Sequence, residues 1–178
     1  MFAIFELEES LRAMPDVTEV ICAHDPPVPD FTLETVEISL GRALPPDVRA
    51  LYKVIDGLHV RWRYRDADSG EERLGGEIRI PDFATVFGRW FDTLWVHDDT
   101  LQEDHLDLMW QLRGFDLGVA LPQAMTVLHL RGDWGSDYGL MLHLGEGHQL
   151  VPLQLDLMDY LYAALAARGT PLWQLPLS

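Results

Sequence analysis

Residues 44–57 read Leu-Pro-Pro-Asp-Val-Arg-Ala-Leu-Tyr-Lys-Val-Ile-Asp-Gly, and their reading sets the frame for the whole chain. Pro45 or Pro46 fits the first turn of a helix, where a missing N–H has no partner to lose. Asp47 adds negative charge near the positive end of the helix dipole. Val48, Leu51, Tyr52 and Ile55 recur at helical spacing and make one apolar stripe. Gly57 is placed to close the helix with a left-handed cap. The stretch predicts a short helix docked by one face, with no chemistry of its own.

Upstream, residues 4–14 predict a short helix with Phe5, Leu7, Leu11 and Met14 as inward groups, ended by Pro15. Val17 to Ala23 is apolar and β-branched, as in a strand. The prolines of residues 24–30 predict an extended loop, because each disfavours helix in its predecessor. Thr32 is the expected cap of a helix from Leu33 to Leu40, with Glu34 and Glu37 early in it.

Downstream of Gly57 the period changes from helix to strand. Leu58-His59-Val60-Arg61-Trp62-Arg63-Tyr64-Arg65 alternates apolar and polar, which predicts one buried face and one wet face. Asp66 to Gly70 is a turn, and Leu74 to Ile80 is the expected hairpin partner, weakened by Gly75-Gly76. Pro81-Asp82 opens a helix carrying Phe83, Val86, Phe87 and Trp90. A short helix is expected around Leu106–Leu112. Strands follow at 126–130, 138–144 and 148–153, joined by Gly-rich turns. Residues 155–167 predict a closing helix, capped by Gly169 before Pro171. The pattern as a whole predicts a single α+β domain. Its largely antiparallel, twisted sheet has about four to six strands, flanked by N-terminal and C-terminal helices.

The order of these short motifs resembles the SUKH superfamily, which includes fungal cell-wall synthesis regulators and bacterial immunity proteins that neutralise toxins. The residues that carry the resemblance are Ile38-Ser39-Leu40-Gly41, then Leu44-Pro45-Pro46-Asp47, then Asp56-Gly57. Arg131-Gly132-Asp133 and Gly139-Leu140-Met141-Leu142 are similar to the family's Gly-Asp turn and the strand after it. Val151 and residues 157–161 look like its last strand and closing helix. The match covers residues 33–168. It implies structural roles for Leu44, Pro45, Pro46, Asp56, Gly57, Gly132 and Asp133, and no catalytic residue. It further implies an immunity protein that binds a cognate toxin, often a nuclease in this family. The fungal members suggest a regulatory or scaffolding partner as the alternative.

Charge is the second strong signal. The 178 residues hold 29 acids and 13 bases, a net of −16. Residues 1–40 carry −8, residues 41–90 carry +1 and residues 91–178 carry −9. Such a field repels a phosphate backbone and argues against nucleic-acid binding. It attracts a basic protein and speeds the encounter. Cys22 is alone, which excludes an internal disulfide and fits a reducing compartment. The acidic start of the chain argues against a signal peptide. No apolar run approaches the roughly 20 residues of a membrane span. The expectation is a cytoplasmic protein with a protein partner, a basic toxin domain, and no membrane.

Residues 97–107 are the densest polar cluster. Asp98, Asp99, Glu103, Asp104 and Asp107 lie there with His97 and His105. Two histidines among five carboxylates suggest a divalent metal and hence a metal-dependent enzyme, but compact ligand spacing is missing. A wet acidic surface that makes charge-assisted contacts with Arg or Lys is the better reading. No metal and no cofactor are expected. Residues 131–137 are Gly-rich but lack the lysine and following helix of a phosphate loop. Ser136 has histidines and aspartates nearby but no nucleophile elbow before it. His129 and His143 read as sheet residues, and Cys22 as a small apolar group. Arg61, Arg63 and Arg65 are expected to pair with Glu71 and Glu72 across the hairpin, with Trp62 and Tyr64 in the core. The apolar tail at 172–177 is expected to pack on the body of the protein or to serve as a contact surface.

Overall fold

The alternating run after Gly57 becomes the middle strand of an antiparallel sheet. In the computed structural model, which describes residues 2–88, 111–118, 124–130, 138–144, 149–170 and 173–174, the sheet order is β1 (Val17–Asp25), β2 (Asp56–Arg65), β3 (Glu72–Ile80). Leu58, Val60 and Trp62 are buried, while His59, Arg61 and Arg63 face outward between them. The expected two-faced strand is therefore present. The arginines pair differently from expectation. Arg65 reaches Glu72 at 3.9 Å, but Arg63 turns to Glu19 on β1 at 3.4 Å. The neighbouring strand offers a carboxylate in register, Glu19 opposite Arg63, which the hairpin does not.

A second antiparallel sheet has the order β4 (Leu112–Asp116), β5 (Ala124–Leu130), β6 (Tyr138–Leu144), β7 (Gln149–Leu153). The antiparallel α+β class is as read from the sequence, with seven strands in two sheets among the described residues. Leu112 opens a strand, where a helix was expected to end. All five residues of β4 are buried, so its pattern lacks the alternation that marks a half-exposed strand. β5 is likewise buried on both faces. Leu128 and Leu130 join the main core, while Met125 and Val127 pack with Leu112 and Met141 on the other side.

The helices are α1 (Phe2–Arg12), α2 (Asp30–Leu40), α3 (Pro46–Tyr52), α4 (Phe83–Gly88) and α5 (Leu157–Ala166). Leu7 and Leu11 of α1 are buried as expected, but Phe5 lies half exposed. α2 starts two residues before Thr32. Its N-cap position is Pro29, and the Pro29 carbonyl accepts the Thr32 and Leu33 amides. Proline has no side-chain acceptor, so this end of α2 carries no side-chain cap bond. α3 begins on Pro46 as expected, and Val48, Tyr52 and Ile55 are buried.

Gly57 does not cap α3. The helix closes at Lys53, and Gly57 lies in β2 with φ +80°. A Cβ there would meet the Asp82 amide nitrogen at 3.2 Å and the Ile80 carbonyl oxygen at 3.3 Å. The glycine is required by a close approach of strands and by its backbone angle. Asp56 beside it accepts the Phe83 amide at 2.6 Å and so starts α4. At the other end, α5 is capped by Asp156, whose side chain accepts the Asp159 amide at 2.8 Å. The C-cap is Ala167, and the left-handed turn after it is shared. Arg168 (φ +56°) donates its amide to the Leu165 carbonyl and Gly169 (φ +62°) donates its amide to the Ala164 carbonyl, so the expected glycine cap is only half the turn.

The two sheets meet at β3 and β4. The Leu117 amide donates to the Arg79 carbonyl at 2.8 Å, and the Asp116 carboxylate accepts the Arg79 amide at 2.9 Å. One cluster of buried side chains runs through both sheets, α1, α3, α4 and α5. No helix among the described residues is long and apolar enough to cross a membrane.

Candidate functional site

The residues of the expected helix-turn motif are structural in what they touch. Leu44 and Pro45 are buried between α2 and α3. The Glu37 carboxylate accepts the Leu44 amide at 3.0 Å with one oxygen and the Arg49 guanidinium at 3.2 Å with the other. One side chain thereby binds the end of α2 to the start of α3. Asp47, in the first turn of α3, accepts the Val48 amide and the Tyr138 hydroxyl from β6. Pro46 is exposed at the first turn. Gly132 and Asp133 lie outside the described residues. So do Asp98, Asp99, Glu103, Asp104 and Asp107, together with His97 and His105.

Among the described residues, no three His, Cys, Asp or Glu side chains converge as a metal site. A polar recess of about 280 Å³ lies at the end of β2 and β3, with His24, Asp25, His59, Arg79 and Asp82 on its walls. His59 shares a 3.0 Å contact with Glu77. Asp82 is committed to the Thr85 amide and hydroxyl, both at 2.8 Å. These groups hold the α4 turn and the sheet edge. Burial raises the Asp56 carboxyl above its ordinary range, with Asp82 and Asp25 adding to the rise. Among the described residues no serine or cysteine lines the recess.

Cys22 pairs with Val60 on β2 and is half buried. Burial raises its thiol pKa, and the Glu8 carboxylate raises it further. A thiol of that kind is a poor nucleophile at neutral pH. His129 contacts Gln111 at 3.2 Å, and His143 is buried in β6, so both are sheet residues as expected.

A second concavity is apolar and was not foreseen. It is a groove of about 590 Å³ between α1, α3 and α5, floored by Leu58 and Ile80. Leu51 and Ile55 form one wall, and Leu161 and Leu165 form the other. Three rim residues stand out to solvent: Val54 at 50%, Met158 at 44% and Tyr162 at 61%. Among the described residues Glu6 is the single charged side chain on its lining. The volume lies within the roughly 300–1,000 Å³ range of binding pockets, and the lining suits apolar contact. The sequence signal for it is in α5. Leu157, Tyr160 and Ala164 are buried in the core, yet Met158, Leu161, Tyr162 and Leu165 add a second apolar stripe. A helix apolar on two faces has two surfaces to cover.

No protein-family model matches the chain, and no curated protein matches it.

Proposed function

We propose that this chain is an immunity-type binding protein that neutralises a toxin by occupying a basic surface of it. What supports the reading is the charge of the chain, 29 acids against 13 bases. The SUKH-like order of Leu44-Pro45-Pro46, Asp56-Gly57 and Gly132-Asp133 supports it from the sequence side. The apolar groove between α1, α3 and α5 supplies surface that association would remove from water.

The mechanism is occlusion with charge complementarity. Asp98, Asp99, Glu103, Asp104 and Asp107 supply carboxylates for Lys and Arg of the partner, and the long-range field speeds encounter. A nuclease fits this scheme well, because a surface that holds a phosphate backbone is basic. Such a partner meets an anionic protein in place of its substrate.

The test is stopped-flow association and titration calorimetry with the toxin domain from the neighbouring gene. Association is expected to slow steeply with salt. Changing the five acids of residues 98–107 to Asn or Gln is expected to lower the association rate about tenfold or more. An unchanged rate removes that patch from the contact. A partner that shows no binding and no inhibition removes the immunity reading.

A further inference from the structure

We infer that the groove between α1, α3 and α5 receives an amphipathic helix of a protein partner, flanked on its apolar stripe by Lys or Arg. This rests on the reading of the chain as a protein binder and names the element it binds.

The shape argues for a helix. Met158, Leu161, Tyr162 and Leu165 stand at i, i+3, i+4 and i+7 on α5, the spacing by which one helix packs on another. The stripe is about 10 Å long, roughly two helical turns. Leu51 and Val54 face it from the end of α3. A wall made of helices, with an adaptable methionine and an aromatic at the rim, is the geometry of helix-in-groove recognition. The core-facing side of α5 is already filled by Leu157, Tyr160 and Ala164. On its outer stripe Met158 and Tyr162 stand exposed, while Leu161 and Leu165 are partly buried against the core and line the groove from below.

Charge decides which helix. Glu6 lines the groove, Glu9 follows on α1, and Asp156 and Asp159 begin α5, which carries no basic residue. The nearby cations are engaged elsewhere. Arg12 is held by Glu8 at 2.8 Å, Lys53 by Asp30 at 3.0 Å, and Arg49 by Glu37 at 3.2 Å. An incoming helix with acidic flanks meets like charge, and one with basic flanks meets its complement. A second copy of this chain brings another −16 to the contact and is disfavoured on the same ground.

The probe is a synthetic three-turn helical peptide with Leu and Phe at i, i+3, i+4 and i+7 and Lys on both flanks. Its control carries Glu at the Lys positions. Binding is read by fluorescence anisotropy, and its location by methyl chemical shifts of Met158, Leu161 and Leu165. The Lys peptide is expected to bind about tenfold or more tighter than the Glu peptide, with shifts at those methyls. The exposed double variant Met158→Ser, Tyr162→Ser is expected to weaken it about tenfold, and Glu6→Lys to weaken it several-fold, with an unchanged circular dichroism spectrum. Equal binding of both peptides, absence of groove shifts up to the solubility limit, or binding that ignores the double variant each overturns the inference. A dimer in sedimentation velocity that Tyr162→Ser abolishes also overturns it, by showing that a second copy covers the groove. The two readings fail separately. A toxin neutralised equally well by the double variant removes the groove and keeps the immunity function. A Lys peptide that seats in the groove while the neighbouring toxin is ignored does the reverse.

Discussion

The Tyr160 hydroxyl donates to the Asp116 carboxylate at 2.8 Å inside the core, and this bond ties the closing helix to the seam between the two sheets. The other oxygen of Asp116 accepts the Arg79 and Gly118 amides, each at 2.9 Å. Thr126 lies 2.8 Å from the Tyr160 oxygen, and the Gln174 side chain also bonds to it. Tyr160 has one proton, which goes to the carboxylate, so the Thr126 hydroxyl is the donor in that second contact. The register of β4 makes this possible. Its irregularity falls at Phe115, so Phe115 and Asp116, consecutive in sequence, both reach Tyr160.

Tyr160→Phe removes one donor from a buried carboxylate and leaves its shape intact. The expected loss is about 1–3 kcal/mol, because the acceptor is left short of a partner out of reach of bulk water. Urea denaturation measures it. A loss within error would mean that water replaces the hydroxyl.

Stability is expected to rise as pH falls from neutrality toward 4. Burial raises the carboxyl pKa of Asp116 against three donated hydrogen bonds, and burial also raises Asp47 and Asp56. A raised pKa means that the folded protein holds the proton more tightly than the unfolded chain. The resulting stabilisation is complete below the ordinary value of 3.8 and is lost as pH rises through the raised values. Shedding part of the −16 charge acts in the same direction. Asp66 opposes it weakly, since the Ser69 amide and hydroxyl lower its pKa. Melting temperatures between pH 7 and pH 4.5 check the sign.

Gly57→Ala and Gly41→Ala separate two costs of a left-handed residue. Both glycines have positive φ, at +80° and +68°. At Gly41 a Cβ meets open space, and only the backbone angle penalises alanine, by about 1 kcal/mol. At Gly57 the added methyl also presses on the Asp82 nitrogen and the Ile80 oxygen. Gly57→Ala is expected to be the more harmful of the two, by about 1 kcal/mol or more. Guanidinium denaturation of both variants decides it.

Trp62→Phe tests the contact between the first sheet and the end of α5. The indole N–H donates to the Arg168 carbonyl at 2.9 Å, and the ring lies against Gly75. Losing the donor and part of the ring is expected to cost about 2–4 kcal/mol. Gly75→Ala, whose methyl would collide with the same ring, is expected to destabilise as well. A neutral Gly75→Ala would mean that Trp62 has room to move.

Elements whose periodicity differs on their two faces were legible in the chain. The alternation of residues 58–65 marked β2, and Pro46 with Val48 and Tyr52 marked α3. Gly169 and the apolar run before it marked α5. A side chain's solvent preference repeats at a fixed period there, so local order carries the information. β4 was missed because a strand buried on both faces has no alternation to read. Gly57 was misassigned because a glycine that ends a helix and one that relieves a close strand contact look the same in one dimension.

By itself, the sequence determined the antiparallel α+β class, the helix boundaries marked by Pro46 and Gly169, and the anionic character of the chain. Each of these follows from local propensity or from simple counting. Only the tertiary structure decided that Asp116 and Tyr160 meet across 44 residues, that the strands divide into two sheets, and that α1, α3 and α5 leave an apolar groove between them. Those facts depend on which faces pack together, and packing is set by the shapes of side chains distant in sequence, which no local pattern encodes.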